Sequence, residues 1–156
     1  MSKMFEFLTL RNVVFTTTFL IFLFYGAYED IRRRQIPDQI VSGIFALSFL
    51  GLVFLENPGA AERTAGIFIV SVPMLLITAA LPGAFGGGDI KLMAACGMYL
   101  GAEAVFYSFF YALVLGGIYG IYLLLFKNKS RKTEFALGPF LALGILIRLI
   151  FQGFFC

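Results

Sequence analysis

Six apolar runs fill almost the whole chain, each closed by a few polar residues or a Pro-Gly break. Nothing else in the sequence restricts the fold as tightly. A helix needs about 20 apolar residues, within a range of roughly 17–25, to cross a bilayer. It also satisfies its own backbone N–H and C=O groups where no water can. The candidate spans are 13–28, 39–55, 65–81, 89–100, 104–126 and 135–155. Pro37 disfavours a helical Ile36, so the first helix ends before it. Glu56-Asn57-Pro58-Gly59 and Pro82-Gly83 stop the second and third. Only 13% of the 156 residues are charged and 60% are hydrophobic, against about 25% charged in ordinary soluble domains. The expected fold class is therefore all-α: a polytopic membrane helix bundle of about six transmembrane helices. One integral membrane domain is expected over 1–156, with no soluble domain. Phe24-Tyr25-Gly26-Ala27-Tyr28 offers no small-x-small cleavage site, so the first run reads as a retained span.

The fourth run is short. Eleven or twelve helical residues reach only about 16–18 Å, against roughly 30 Å of hydrocarbon. Either this helix is buried within protein, or it continues past Gly101 and Glu103 into the fifth. Gly97 with Gly101, and Gly116 with Gly120, have the G-x-x-x-G spacing that lets helices approach closely. Both are read as ordinary packing, and the 20 phenylalanines as lipid-facing surface.

Charge placement orients the bundle. Arg32, Arg33, Arg34, Lys91, Lys127, Lys129, Arg131 and Lys132 fall on one side, and Lys3, Arg11 and Arg63 on the other. Basic loops stay cytoplasmic, which places Asp30 and Asp89 at the cytoplasmic border. No basic face with interleaved polar surface exists, so lipid headgroups, not nucleic acid, are the expected partner. The chain has no histidine and two cysteines, Cys96 and Cys156, with no disulfide expected between them. That argues against a zinc site and against Ser-His or Cys-His nucleophiles. No metal or cofactor is expected.

Two aspartates remain. Asp30 closes the first run, and Asp89 opens the fourth behind Gly86-Gly87-Gly88. Carboxylates at membrane borders are costly and mark function. Brought together, two of them cannot both ionise easily, so one holds a proton and the other stays charged. Such a pair can activate water and protonate a leaving amine. Each helix's dipole favours charge on Asp89 at a helix start and disfavours it on Asp30 near a helix end. The glycines leave open space beside Asp89, where an extended peptide could pair with the backbone. Taken singly, Asp89 reads as a helix N-cap. Asp38 after Pro37 reads as a first-turn residue, and Lys91 as snorkelling or balancing aspartate charge. Gly138-Pro139 opens the sixth helix, and Arg148 either snorkels or pairs inside the bundle, with Glu103 one partner the sequence offers but does not decide.

The segments Asp30-Ile31-Arg32-Arg33-Arg34-Gln35-Ile36-Pro37-Asp38 and Gly86-Gly87-Gly88-Asp89-Ile90-Lys91-Leu92-Met93-Ala94-Ala95 together resemble the type IV prepilin peptidases, intramembrane aspartic proteases of the G-x-G-D type. Phe135-Ala136-Leu137-Gly138-Pro139-Phe140-Leu141-Ala142 is similar to a Gly-Pro segment near that family's C-terminus. The resemblance implies that Asp30 and Asp89 are the catalytic pair, with Gly86, Gly87, Gly88, Lys91, Pro37 and Asp38 shaping the site or binding substrate. It implies a prepilin or pseudopilin substrate with a short basic leader, cleaved after a glycine at the cytoplasmic face of a bacterial inner membrane. Larger members carry a cytoplasmic domain, often with Cys-x-x-Cys pairs, linked to N-methylation of the trimmed pilin. Neither cysteine here matches that pattern, so peptidase activity without methyltransferase activity is expected, as in short members serving Tad/Flp-type pili. An archaeal preflagellin-peptidase-like reading is also open.

Two other classes fit border carboxylates. A proton- or ion-coupled carrier would use Asp30, Asp89 and Glu103, although carriers favour sites near the midplane. A non-catalytic assembly subunit would use both aspartates as caps.

Overall fold

The computed structural model describes residues 10–55, 57–126 and 136–155. Six helices make up this part of the chain: α1 Leu10–Arg33, α2 Asp38–Phe54, α3 Ala60–Ala80, α4 Gly87–Leu100, α5 Ala102–Phe126 and α6 Gly138–Phe155. Each apolar run became one helix, and the expected breaks at Pro37, Pro58-Gly59 and Pro82-Gly83 all lie between helices. Among the described residues, three helices are long and apolar enough to cross a membrane: Asn12–Arg33, Ala60–Ala80 and Ala102–Leu123. With 17 residues, α2 spans about 26 Å; with 14 residues, α4 spans about 21 Å. The basic cluster at Lys127, Lys129, Arg131 and Lys132, together with Lys3, Glu56, Phe135 and Cys156, lies outside the described residues.

The short α4 is largely buried against its neighbours. It packs against α2, α3 and α5, while α1 joins α2 to α6 and α5 joins α6 to α3. Three neighbours thus bury most of α4, and α1 and α6 complete the bundle through α2 and α5. Its buried residues Leu92, Met93, Ala95, Cys96, Gly97 and Tyr99 cover more than one face. A helix apolar on several faces belongs in the middle of a bundle. It does not merge with α5. Gly101 breaks the helix with φ +87°, a conformation that side-chain-bearing residues rarely adopt.

Two glycine contacts draw the helices together. Gly66 of α3 and Gly97 of α4 lie backbone to backbone, so that a methyl on either would overlap the other's carbonyl. Gly144 of α6 fits equally closely against Ser108 and Ala112 of α5. In the second G-x-x-x-G spacing, Gly120 has open space at its missing side chain, as has the nearby Gly117. Arg148 pairs with Glu103 at 3.1 Å and lies over the Tyr107 ring at 5.4 Å, which decides between the two readings the sequence left open.

One residue is not where the sequence put it. Arg63, counted in a loop on the far side, sits in the first turn of α3 with no exposed surface. Its guanidinium hydrogen-bonds to backbone carbonyls instead of facing headgroups.

Candidate active site

Short connections 34–37 and 81–86 bring the C-terminus of α1 and the N-termini of α2 and α4 to one end of the bundle. The N-terminus of α6 joins them there. Asp30 comes from the last turns of α1 and is 6% exposed, while Asp89 comes from the first turn of α4 and is 8% exposed. Both carboxylates lie at this end, Asp30 against the start of α6 and Asp89 one residue after Gly88, which packs on Ile36. They lie 59 positions apart in sequence, so only the tertiary fold joins them.

Asp30 has one definite partner. The backbone N–H of Gly138, the first residue of α6, donates to Asp30 Oδ2 at 2.8 Å. The first N–H groups of a helix have no partner within it, so a carboxylate there satisfies one and meets the positive end of the dipole. Gly138 has to be glycine: a Cβ there would stand 2.7 Å from Oδ2. Considering only the dipole of each aspartate's own helix overlooks this second helix end. The Gly-Pro opening was legible in sequence as a helix start, but nothing local tied it to Asp30.

Asp89 is not the N-cap. Gly86 takes that place, with extended φ −70° and ψ 142°, and Gly87, Gly88 and Asp89 form the first turn. The cap reading failed because two of the glycines are helical and move Asp89 three residues inward. Asp89 Oδ2 lies against Gly86, where an added Cβ would come within 3.0 Å. Its Oδ1 is buried with no hydrogen-bond partner among the described residues. A buried carboxylate oxygen left free by the protein is one that a small polar molecule such as water can pair with.

The remaining sequence candidates lock the two motifs together. Gly88 packs against Ile36, whose Cβ would lie 3.2 Å from an added methyl, so its function here is close approach. Gly87 has open space around it and is the glycine that leaves room. Pro37 caps α2, and Asp38 begins it. Lys91 Nζ binds Asp38 Oδ1 at 2.8 Å, with the side chains 58% and 76% exposed, so its ion-pair partner is Asp38. Glu29, absent from the sequence candidates, is also buried beside Asp30 in the chain and pairs with Arg33 at 3.0 Å. Among the described residues, no group of three or more His, Cys, Asp or Glu side chains is placed to hold a metal ion.

A family model for the type IV leader peptidase family matches residues 17–121. Both aspartates and the Gly86-Gly87-Gly88-Asp89 run fall inside that stretch. The chain is similar to the prepilin leader peptidase/N-methyltransferase of Bacillus subtilis (strain 168), with 30% identity over 139 residues, covering 85% of this chain and 54% of the relative. It is similar to proteins of the same name from Aeromonas salmonicida (strain A449), 36% identical over 132 residues, and Pseudomonas putida, 35% identical over 123. Those alignments cover 79% and 74% of this chain and 44% and 42% of the relatives. The chain thus spans about half the length of the curated relatives it matches. No solved structure matches it.

Proposed function

The chain belongs to the type IV leader peptidase family, and from that premise we propose that it is an intramembrane aspartic endopeptidase acting on prepilin or pseudopilin precursors. Residues 1–156 act as one membrane peptidase domain, and Asp30 and Asp89 are its catalytic pair. The observation that carries this reading is the convergence of two buried carboxylates, from the ends of different helices, at one end of the bundle.

The chemistry follows from sharing one proton between two carboxyl groups. The charged member takes a proton from water as its oxygen attacks the scissile carbonyl. The neutral member gives its proton to the departing amine as the C–N bond breaks. One acid and one carboxylate are present before and after, so the pair is regenerated. Gly138 N–H holds Asp30 in place during this exchange, and fixed geometry of this kind contributes to rate directly.

The basic-residue bias supports a cytoplasmic site, where a short basic leader would arrive while the following hydrophobic helix stays in the bilayer. Gly87, with open space beside it, is where the extended segment would pass. Lys91, Asp38 and Pro37 shape the rim. The proposal covers peptide hydrolysis and not methyl transfer.

The test is co-expression with a candidate prepilin, reading the pilin N-terminus by mass spectrometry. Wild type removes the leader and leaves an unmethylated N-terminus. Asp30→Asn and Asp89→Asn each stop trimming while remaining folded in membrane. Normal trimming by either variant would sink the dyad, and a methylated product would sink the peptidase-only assignment.

A further inference from the structure

Arg63 is fully buried, far from the carboxylates along α4, and has no part in the chemistry above. Its Nε donates to Pro58 O at 2.9 Å, and its Nη1 to Met98 O at 3.2 Å and Tyr99 O at 3.4 Å. The last two carbonyls belong to the final turn of α4, which has no intrahelical donors left and carries the negative end of the dipole. Arginine's planar fork suits several such acceptors at once. Gly51 of α2 leaves room for it, since a Cβ there would lie 3.2 Å from Nη1.

Other contacts act at the same end. Gly66, one turn beyond Arg63, meets Gly97 backbone to backbone, and Gly101 fits against Pro58 and Glu62. Nη2 has no acceptor among the described residues. A buried cation with an unsatisfied donor is poor value for stability alone, since an apolar side chain of similar size often does as well. Its gain is geometric.

We propose that Arg63 is a positioning residue for Asp89, clamping the far end of α4 so that the helix's axial position sets where the carboxylate meets Asp30. The link is mechanical. Tyr99 and Asp89 are ten residues apart on one helix, about 15 Å along its axis. Any slide of α4 at the clamp therefore moves Asp89 equally, and a misplacement of about 1 Å can cost about 100-fold in rate. The catalytic consequence rests on the peptidase reading; the clamp itself does not.

The test pairs activity with distance. Spin labels at Ala61→Cys and Lys91→Cys, at opposite ends of α3 and α4, report the axial register by electron paramagnetic resonance on the full chain in nanodiscs, in a Cys96→Ala, Cys156→Ser background. With Arg63 the distance distribution is narrow. Arg63→Met broadens or shifts it, and Arg63→Lys restores part of it. Without labels, Arg63→Met lowers kcat tenfold to a hundredfold, by about that estimate, with KM nearly unchanged. An unchanged distance in Arg63→Met overturns the clamp. If that variant does not fold, Arg63→Lys carries the same test, and wild-type distance with wild-type kcat in it overturns the clamp. A wild-type chain that trims nothing, while the distance still responds to Arg63, supports the clamp and removes the peptidase reading.

Discussion

Gly138 and Asp30, 108 residues apart in sequence, are joined by a 2.8 Å hydrogen bond from the first N–H of α6 to Oδ2. The bond ties the start of the last helix to the end of the first. It also makes one carboxyl group of the pair part of the packing of the bundle.

Gly138→Ala tests that bond. The added methyl would stand 2.7 Å from Oδ2 and 3.0 Å from Asp30 Cβ, so the carboxyl group or α6 must move. Trimming should slow by about 10- to 100-fold, the usual consequence of a displaced catalytic group. Single-turnover cleavage of a purified prepilin measures it, and a rate within twofold of wild type would show that the bond does not position Asp30.

The proposed sharing of one proton by Asp30 and Asp89 predicts a bell-shaped pH dependence of kcat/KM. In acid both carboxyl groups are protonated and no base remains; in alkali both are ionised and no acid remains. The two limbs belong to the pair and not to either aspartate. A profile with one limb, measured with a peptide whose own ionisation is silent, would point to a single titrating group.

Glycine contacts predict opposite effects on stability. Gly97→Ala forces its methyl against the Gly66 carbonyl, and overpacking of this kind costs about 1–3 kcal/mol. Gly117→Ala meets nothing within 4 Å and should gain up to about 0.5–1 kcal/mol from the helical preference of alanine. Thermal unfolding in detergent should rank Gly117→Ala at or above wild type and Gly97→Ala below it.

The Lys91–Asp38 pair is exposed on both sides, and such pairs contribute about 0–1 kcal/mol. Lys91→Ala should therefore unfold within about 1 kcal/mol of wild type by that measure. A larger loss would mean that the pair, and not the Ile36–Gly88 contact, holds the two motifs together.

The helices were legible in the sequence because their signals are local. Apolar runs of the right length, ended by Pro37, Pro58-Gly59 and Pro82-Gly83, set each boundary within a few residues. Asp30 and Asp89 were legible too, because a carboxylate at a membrane border stands out against apolar neighbours. The sequence offered Glu103 as one partner for Arg148, and the tertiary structure chose it over snorkelling. The tertiary structure decided what each of these meets. It packed the short α4 against α2, α3 and α5 and buried most of it. It brought Gly138 N–H to Asp30, moved Asp89 from cap to first turn, and buried Arg63 against the carbonyls of α4. It used Gly97 and left Gly120 free, although both stand in the same spacing. The reason is physical: boundaries depend on neighbours in the chain, whereas hydrogen-bond partners and backbone approach depend on which helices lie side by side.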